Sequence, residues 1–269
     1  WFVENKAFQN DGTKARFYTG LVDMMVLRAD QKDSKSIYVA AKGGNSSLYN
    51  QHLDAGSFVI EADGERWGID LGGDQPMLPG FYDLTPSSAR WSYFRNSAKS
   101  HNTLILGDKD QRVGSECKLQ KYKKDINQPY GVFDLTPAYP DASTIRRGIK
   151  LLNNDQVLVR DEISFRDKAF GVRWAMVTEA DVTLQGNKVV LSQNGKTFSI
   201  MIPSEEPVVF EYTSAQMQSK VEQDNSGKKI VFARVNQSQA RQNVTITVVM
   251  GRQLNGITDA IVKSRIDAW

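Results

Sequence analysis

The feature that most constrains this chain is a series of short runs of β-forming residues separated by turn residues. Val, Ile, Phe and Tyr dominate the runs, and Gly, Asn and Asp interrupt them at short intervals. In the first half, the runs lie at residues 22–27, 36–42, 57–62 and 66–71. In the second half, they lie at residues 156–163, 173–177, 182–185, 188–191, 197–202, 208–212, 229–233 and 244–249. This pattern predicts an all-β protein, specifically a large antiparallel β-sandwich.

The pattern shows no long amphipathic helix with capping residues, so it does not predict a nucleotide-binding sheet of alternating strands and helices. No clear domain boundary is visible, and residues 1–269 are interpreted as one sandwich domain. Residues 72–86 are rich in Gly and Pro and are predicted to form a long loop, of the kind that is usually functional or disordered. Residues 107–145 are predicted to be irregular loops over one face.

Composition excludes several classes of protein. Lys+Arg is 34 and Asp+Glu is 31, and a formal net charge of +3 gives no indication of a nucleic-acid partner. No apolar run approaches the roughly 18 residues that a membrane-spanning helix needs. The chain opens with Trp1 and lacks a signal-peptide pattern, so we expect a mature form or a piece of a longer protein. The single cysteine, Cys117, lies in a polar stretch and is predicted to be inert.

Three side chains that commonly bind metals lie close to predicted strand ends. His52 precedes, and Asp70 ends, a pair of strands whose connecting turn, Asp63-Gly64, is a strong hairpin signal. Pairing about this turn puts His52 and Asp70 at the same end of a sheet. His101 precedes a further β-run, which adds a third ligand if that strand lies alongside. Two imidazoles and one carboxylate suit zinc or Fe(II), whereas the simpler alternative for each histidine is a hydrogen-bonded structural residue.

Six segments in fixed order resemble the heparinase II/III-like family of polysaccharide lyases. They are Lys42-Gly43-Gly44 and residues 50–58, 64–72, 80–82, 93–97 and 101–104. The resemblance is well developed from about residue 20 to about residue 111. It implies that this chain is the C-terminal β-sandwich of a protein whose N-terminal helical (α/α) toroid is absent from the sequence.

The resemblance also implies a reaction, namely β-elimination on an acidic polysaccharide that contains uronate. It implies a largely structural zinc ion held by His52, Asp70 and His101. Tyr82 resembles a tyrosine near the catalytic cleft, although simple packing within its loop is an equal alternative. Many relatives carry a second histidine where this chain has Asn50. Because an amide does not exchange protons near neutral pH, the isolated domain is expected to be inactive.

Four polar side chains are predicted to contact the substrate, and they are Lys42, Asn50, Arg90 and Arg95. The arginines flank aromatic residues, an arrangement that would let guanidinium groups clamp a carboxylate while the rings stack on sugars. The alternative for the cationic residues is an ordinary solvated position. Asp54 is expected to support the site as a hydrogen-bond acceptor or a turn residue.

Two other functions fit parts of the pattern. One is a non-catalytic module that binds carbohydrate or stabilises the helical domain. The other is an Fe(II)- and 2-oxoglutarate-dependent dioxygenase. Its iron ligands would be His52, His101 and the carboxylate of Asp54 rather than that of Asp70, and Arg112, eleven residues after His101, fits the same pattern. The lyase interpretation explains more residues, and a polysaccharide substrate implies a periplasmic or secreted location.

Overall fold

A computed structural model describes residues 13–203, 208–216 and 219–269. Its strands are β1 (Ala15–Tyr18), β2 (Met24–Arg28), β3 (Tyr38–Lys42), β4 (Gly44–Asn45), β5 (Phe58–Ala62), β6 (Glu65–Gly68), β7 (Leu104–Leu106), β8 (Glu116–Lys123) and β9 (Tyr130–Asp134). They continue as β10 (Ala142–Leu151), β11 (Gln156–Phe165), β12 (Val172–Thr178), β13 (Asp181–Gln185), β14 (Lys188–Gln193), β15 (Lys196–Met201), β16 (Phe210–Ser214), β17 (Lys229–Val235) and β18 (Asn243–Gly251).

Helical structure within the described ranges is limited to short segments. They are α1 (Asp259–Lys263) and the 3-10 turns Ala89–Ser92, Phe94–Asn96, Ala98–Ser100, Thr136–Ala138 and Ile266–Ala268. None of the helices in the described part of the chain is long and apolar enough to cross a membrane. The predicted all-β fold is therefore confirmed.

The strands form three antiparallel sheets in two layers. One layer is the nine-stranded sheet, in the order β13-β14-β15-β18-β11-β10-β9-β8-β4. The other contains a five-stranded sheet, β1-β2-β3-β5-β6, and a four-stranded sheet, β16-β17-β12-β7. A single bridge between Ile69 and Val177 joins these two sheets. Both pack on the nine-stranded sheet around one continuous apolar core.

Aromatic stacking joins the two layers of the sandwich. Trp67 stacks on Phe198 with ring centroids 5.4 Å apart. At Gly131, a Cβ atom would lie 2.5 Å from the sulfur of Met25, so a larger residue here would force the Met25 side chain to shift where the layers meet. Large fully buried side chains in both layers fix how the sheets are placed, because interiors pack at close to crystal density.

The outer face of the nine-stranded sheet is covered by the C-terminal segment. Leu158 and Val249, on that face, pack against Ile257, Ile261 and Trp269. This cover explains why β11 is buried along almost its whole length instead of alternating between buried and exposed positions.

The predicted hairpin about Asp63-Gly64 is confirmed, since β5 and β6 pair antiparallel across it. Asp63 and Gly64 both adopt positive φ, at 57° and 76°, as the tightest hairpin turns require. The second strand ends at Gly68, earlier than predicted. Residues 72–86 contain neither strand nor helix, as expected for the long loop.

The prediction of irregular loops over residues 107–145 is wrong, because β8, β9 and the start of β10 lie there. Lysines obscured the signal, since most residues of β8 are at least partly exposed and its lysines are solvated. Cys117 is buried in this strand rather than lying in a polar loop, and burial raises the pKa of its thiol to about 12. The expectation drawn from Trp1 lies outside the described residues.

Candidate metal centre

Three separate segments bring the predicted metal ligands together. His52 lies before β5, Asp70 lies after β6, and His101 lies between a 3-10 turn and β7. His101 Nδ1 is 3.0 Å from Asp70 Oδ2. The His52 and His101 rings stack with centroids 5.3 Å apart and an interplanar angle of 19°. The side chains thus converge at the junction between the five-stranded and four-stranded sheets.

His101 reaches this position differently from the sequence prediction. β7 does not lie alongside the hairpin, because it pairs with β12 in the four-stranded sheet. The neighbouring residue, Asn102, makes the connection instead. Its amide nitrogen donates to the carbonyl oxygens of Phe58 and Ile69, at 2.6 and 2.8 Å, and its oxygen accepts from Val177 N at 2.6 Å. One fully buried amide therefore ties the two sheets together beside the ligands.

The ring of His101 has a fixed orientation. Nε2 lies 2.8 Å from the carbonyl oxygen of Arg95, which only accepts, so Nε2 carries a hydrogen. Nδ1 consequently faces the Asp70 carboxylate. Burial disfavours the charged imidazolium, but the charge and hydrogen bond of Asp70 outweigh burial and raise the pKa of His101. For Asp70, burial is likewise outweighed by His101 and by the Gly72 backbone N–H, so its pKa is held far below the usual range.

His52 and Asp54 complete the cluster. Burial, followed by the charge of His101, lowers the pKa of His52 to about 4, which keeps its ring neutral near pH 7. One ligand atom each from His52, Asp54 and His101 lie within 4.8 Å of one another. Asp54 is 1% exposed, and its Oδ1 has no hydrogen-bond partner among the described residues. The carboxylate expected only to support the site is therefore itself placed as a candidate ligand.

The cluster fits a zinc ion. Two imidazoles and a carboxylate oxygen are a donor set that zinc binds, and His52 is held in the neutral form that ligation requires. The carbonyl of Arg95 orients the His101 ring, as hydrogen bonds to the non-ligating nitrogen do in metalloproteins. The orphaned Asp54 Oδ1 is a further unused oxygen donor in the same buried space.

Lys42 lies within this cluster rather than on an open surface. Its Nζ is 2.5 Å from Asp54 Oδ2 and donates to Gln51 Oε1 at 3.3 Å. The ammonium group therefore offsets the charge of a buried carboxylate, which reduces its availability to a substrate.

Arg90 is fully buried and has a structural function. Its guanidinium donates to the carbonyl oxygens of Tyr49 and Gln51 at 2.9 and 2.7 Å, and also to that of Phe81. With no exposed donor, Arg90 is poorly placed for the substrate contact predicted from sequence. Instead, Arg90 holds the segment around Asn50 against the segment of Phe81 and Tyr82.

Arg95 is also engaged by the protein, through residues on two loops. It donates to the carbonyl oxygens of Leu71 and Asp224 at 2.7 and 2.9 Å, and to Asn225 Oδ1 at 3.0 Å. These bonds hold the stretch just after Asp70 against the β16–β17 loop. They compete with the predicted grip of Arg95 on a uronate carboxylate.

Of the residues predicted for catalysis or substrate binding, Asn50 and Tyr82 are the ones that are exposed to solvent. Asn50 is exposed, and Tyr82 is 60% exposed with its ring edge-on to Phe81. Because Arg90 bonds to the backbone beside each of them, both lie on the same rim of the sandwich. Tyr49, which sequence reasoning did not select, is 62% exposed on that rim.

A family model described as "Heparinase II/III-like, C-terminal" matches residues 20–258. The chain belongs to this family. A heparan sulfate lyase from Pedobacter heparinus has a similar fold, with a TM-score of 0.64 and 15% identity over 85% of this chain and 34% of that chain. A heparinase III described as the BT4657 gene product has a TM-score of 0.62 and 16% identity, over 85% of this chain and 34% of that chain. No curated protein matches the sequence.

The heparinase II/III-like chain spans about a third of the length of these solved structures. At 15–16% identity, the similarity to them shows the fold: these comparisons agree with a C-terminal sandwich domain. Family membership also argues against the dioxygenase alternative, even though Asp54 lies beside the two histidines as that alternative requires.

Beneath the cluster, the heparinase II/III-like sandwich contains a buried ion pair that sequence reasoning missed. Arg147 and Asp161, on β10 and β11, are both 0% exposed and pair through two bonds of 2.7 and 2.9 Å. Arg147 Nη1 also donates to the carbonyl oxygens of Gly56 and Asn102, at 2.9 and 2.8 Å. One core arginine thus anchors the segment after His52 and the segment after His101.

A second buried network holds the backbone next to Asp54. Thr103 Oγ1 donates to the carbonyl oxygen of Ala55 at 2.6 Å. The Gln111 amide accepts from Ala55 N at 2.8 Å and donates to the Tyr139 hydroxyl at 2.8 Å. The only sequence signal for this network is polar residues within β-like surroundings, which are equally compatible with exposed strand positions.

Proposed function

We propose that this chain is the β-sandwich domain of a polysaccharide lyase that cleaves uronate-containing acidic polysaccharides by β-elimination. The observation that carries the proposal is the cluster of His52, Asp54 and His101, with the more exposed Asp70 bonded to His101, beside a rim that exposes Asn50 and Tyr82 in a chain of the heparinase II/III-like family. The solved structures with this fold include a heparan sulfate lyase, and glycosaminoglycans of that kind are the substrates we propose to test first.

β-Elimination makes three demands on a lyase. The uronate carboxylate must be neutralised, the C5 proton must be removed, and the leaving O4 must receive a proton. In our proposal the phenol of Tyr82 exchanges a proton with the substrate, and the amide of Asn50 donates a hydrogen bond to the uronate carboxylate. Since Asn50 cannot exchange protons, this domain lacks a complete acid–base set. We propose that an N-terminal helical domain supplies the rest and that the sandwich alone is inactive.

We further propose that the buried cluster holds zinc. His52, His101 and a carboxylate from Asp70 or Asp54 would be its ligands, and the bound ion would crosslink the segments at the junction of the sheets. The ligand residues then have a positioning function: they fix the backbone that leads to the exposed rim. A polymeric acidic substrate accords with a periplasmic or secreted protein, and we include that location in the proposal.

The zinc proposal is tested by elemental analysis of the purified chain and of three variants. We expect His101→Ala to lose the ion and to unfold at a lower temperature, because metal bound only to the folded form adds to stability. Asp70→Asn and Asp54→Asn identify which carboxylate is the ligand. Asp181→Asn is the control, since the Asp181 side chain is 91% exposed on β13, an edge strand of the nine-stranded sheet. A native protein without stoichiometric zinc would refute this part.

The lyase proposal is tested by incubation with heparan-, chondroitin- and alginate-type polymers while absorbance of the unsaturated product is followed. We expect no product from this chain alone and product from a full-length protein that includes the helical domain. Tyr82→Phe in that protein is expected to lower kcat strongly and to change KM little. Tight polymer binding without product would favour the non-catalytic module, and robust product from the isolated chain would overturn the requirement for a helical domain.

A further inference from the structure

A small pocket of about 180 Å³ opens on the outer face of the four-stranded sheet. Arg173, Arg234, Gln237, Gln239 and Asp108 contribute its polar lining. Two guanidinium groups therefore face one carboxylate, so the lining carries a net positive charge. None of these residues belongs to the metal cluster or to the rim with Tyr82.

The two arginines oppose each other in an unfavourable way. Arg173 on β12 and Arg234 on β17 are direct cross-strand partners in the register of the sheet. Like charges directly opposite one another destabilise an antiparallel pair. Both guanidinium groups lie over the ring of Phe232, with Cζ 5.6 and 5.0 Å from its centroid. The shared ring offsets part of the repulsion and holds the two cations together.

Arg173 has unused hydrogen-bonding capacity. Its Nη2 donates to the carbonyl oxygen of Lys99 at 3.2 Å, whereas its Nε is buried without a hydrogen-bond partner among the described residues. Burial and the charge of Arg234 both lower the pKa of Arg173. Arg234 has an ion-pair partner in Glu211 at 3.4 Å, but that pair is half-exposed and weak. Asp108 and Asp110 act on Arg173 through their charge and partly offset these effects, and a bound oxyanion would use the buried Nε–H that has no partner.

We propose that this pocket binds a sulfate or carboxylate group of an acidic polysaccharide through Arg173 and Arg234. The planar guanidinium matches both oxyanions, and the amides of Gln237 and Gln239 are additional donors on the pocket wall. The pocket adjoins the segment that carries His101, because Lys99 bonds to Arg173 and Ile105 lines the pocket. A polymer bound near the metal centre would thus have a second anchoring point. The choice of a polysaccharide rests on the proposed function, whereas the anion site itself does not.

The first experiment titrates sodium sulfate against sodium chloride of equal ionic strength and follows the Arg Nε–H resonances by NMR. We expect the Arg173 Nε–H signal to shift saturably with sulfate. Arg173→Gln and Arg234→Gln should each weaken sulfate binding about tenfold or more, since each variant loses a charge-assisted hydrogen bond to the anion. Arg166→Gln is the control, because Arg166 is an exposed arginine outside the pocket.

Three results would overturn the proposal: no saturable shift in the native protein, equal sulfate affinity in the pocket variants, or an equal loss in Arg166→Gln. If Arg173→Gln does not fold, Arg234→Gln decides the outcome, because its side chain is 40% exposed. The affinities of native protein and Arg234→Gln for a heparan-type polymer and for an unsulfated uronate polymer then distinguish the two anions. If Arg234→Gln weakens binding of the sulfated polymer alone, the pocket binds sulfate. If it weakens binding of both polymers, the pocket also binds carboxylate. Zinc content, measured on the same samples, tests the metal proposal separately.

Discussion

The buried pair Arg147–Asp161 gives the sharpest prediction about how the sandwich positions the proposed metal ligands. Both side chains are 0% exposed, and Arg147 also bonds to the backbone of Gly56 and Asn102. Arg147→Met keeps much of the side-chain volume but leaves the Asp161 charge buried and unpaired. Removing one partner of a buried pair costs about 3–5 kcal/mol. This is a large part of the roughly 5–15 kcal/mol that stabilises a typical domain.

A double variant separates the charge of Asp161 from the anchoring function of Arg147. Arg147→Met with Asp161→Leu removes both charges, so we expect most of the lost stability to return. The carbonyl oxygens of Gly56 and Asn102 still lack their donor in the double variant. We therefore expect zinc affinity to remain lowered, by about tenfold or more, if each unsatisfied carbonyl costs about 1–3 kcal/mol in positioning the ligand segments.

Urea unfolding with and without zinc, together with zinc titration against a chromophoric chelator, measures both effects. Arg66→Met is the matched control, because Arg66 pairs with Glu61 at 2.7 Å but is 60% exposed, and exposed pairs contribute about 0–1 kcal/mol. An Arg147→Met variant that unfolds at the native urea midpoint would refute the stability argument. A double variant that binds zinc as tightly as the native chain would refute the anchoring argument.

Three further predictions follow from contacts elsewhere in the sandwich. Asn102→Asp should lower the Tm more than most single substitutions, because a carboxylate cannot donate to the carbonyl oxygens of Phe58 and Ile69; thermal melting tests this. Gly148→Ala should loosen the C-terminal segment, since the new Cβ would lie 2.5 Å from the Trp269 ring, and limited proteolysis should then cleave that segment faster. Burial would raise the pKa of Glu162, but the Ile266 N–H, Arg160 and Arg146 lower it on balance, so its stabilisation is present above about pH 4.3 and is lost as pH falls through the folded pKa. Glu162→Gln should therefore unfold with a weaker acid dependence in that range.

The sequence was sufficient for the fold where local signals and tertiary packing agree. At Asp63-Gly64, the turn residues can adopt the positive φ that the hairpin needs, and the flanking residues alternate between core and solvent. At β8 the same reasoning failed, because its lysines are solvated while the backbone still pairs with β9. The type of a residue indicates whether its side chain lies in solvent or in the core more directly than it indicates whether its backbone belongs to a sheet.

The candidate site divides in the same way. His52, Asp70 and His101 were predictable as neighbours because each lies close to a strand end, although the sheet assigned to the strand after His101 was wrong. The function of Arg90 was not predictable. An arginine beside Trp91 has the same local pattern whether it faces a substrate or bonds to buried carbonyl oxygens, and those oxygens come from segments far away in the chain.

The cluster lies where the five-stranded and four-stranded sheets meet, so its hydrogen bonds also affect how these sheets are placed. Asp70 follows a strand of the five-stranded sheet, and His101 precedes a strand of the four-stranded sheet. In the described part of the chain, the Ile69–Val177 bridge is the one ladder contact between these sheets, so their relative placement also depends on side chains such as Asn102. A divalent ion shared by Asp70 and His101 would crosslink the sheets at the same junction. Arg90 bonds to the backbone of Phe81, next to Tyr82, and to that of Gln51, between Asn50 and His52. A displacement of His52 at the junction would therefore also move the rim where the proposed chemistry occurs.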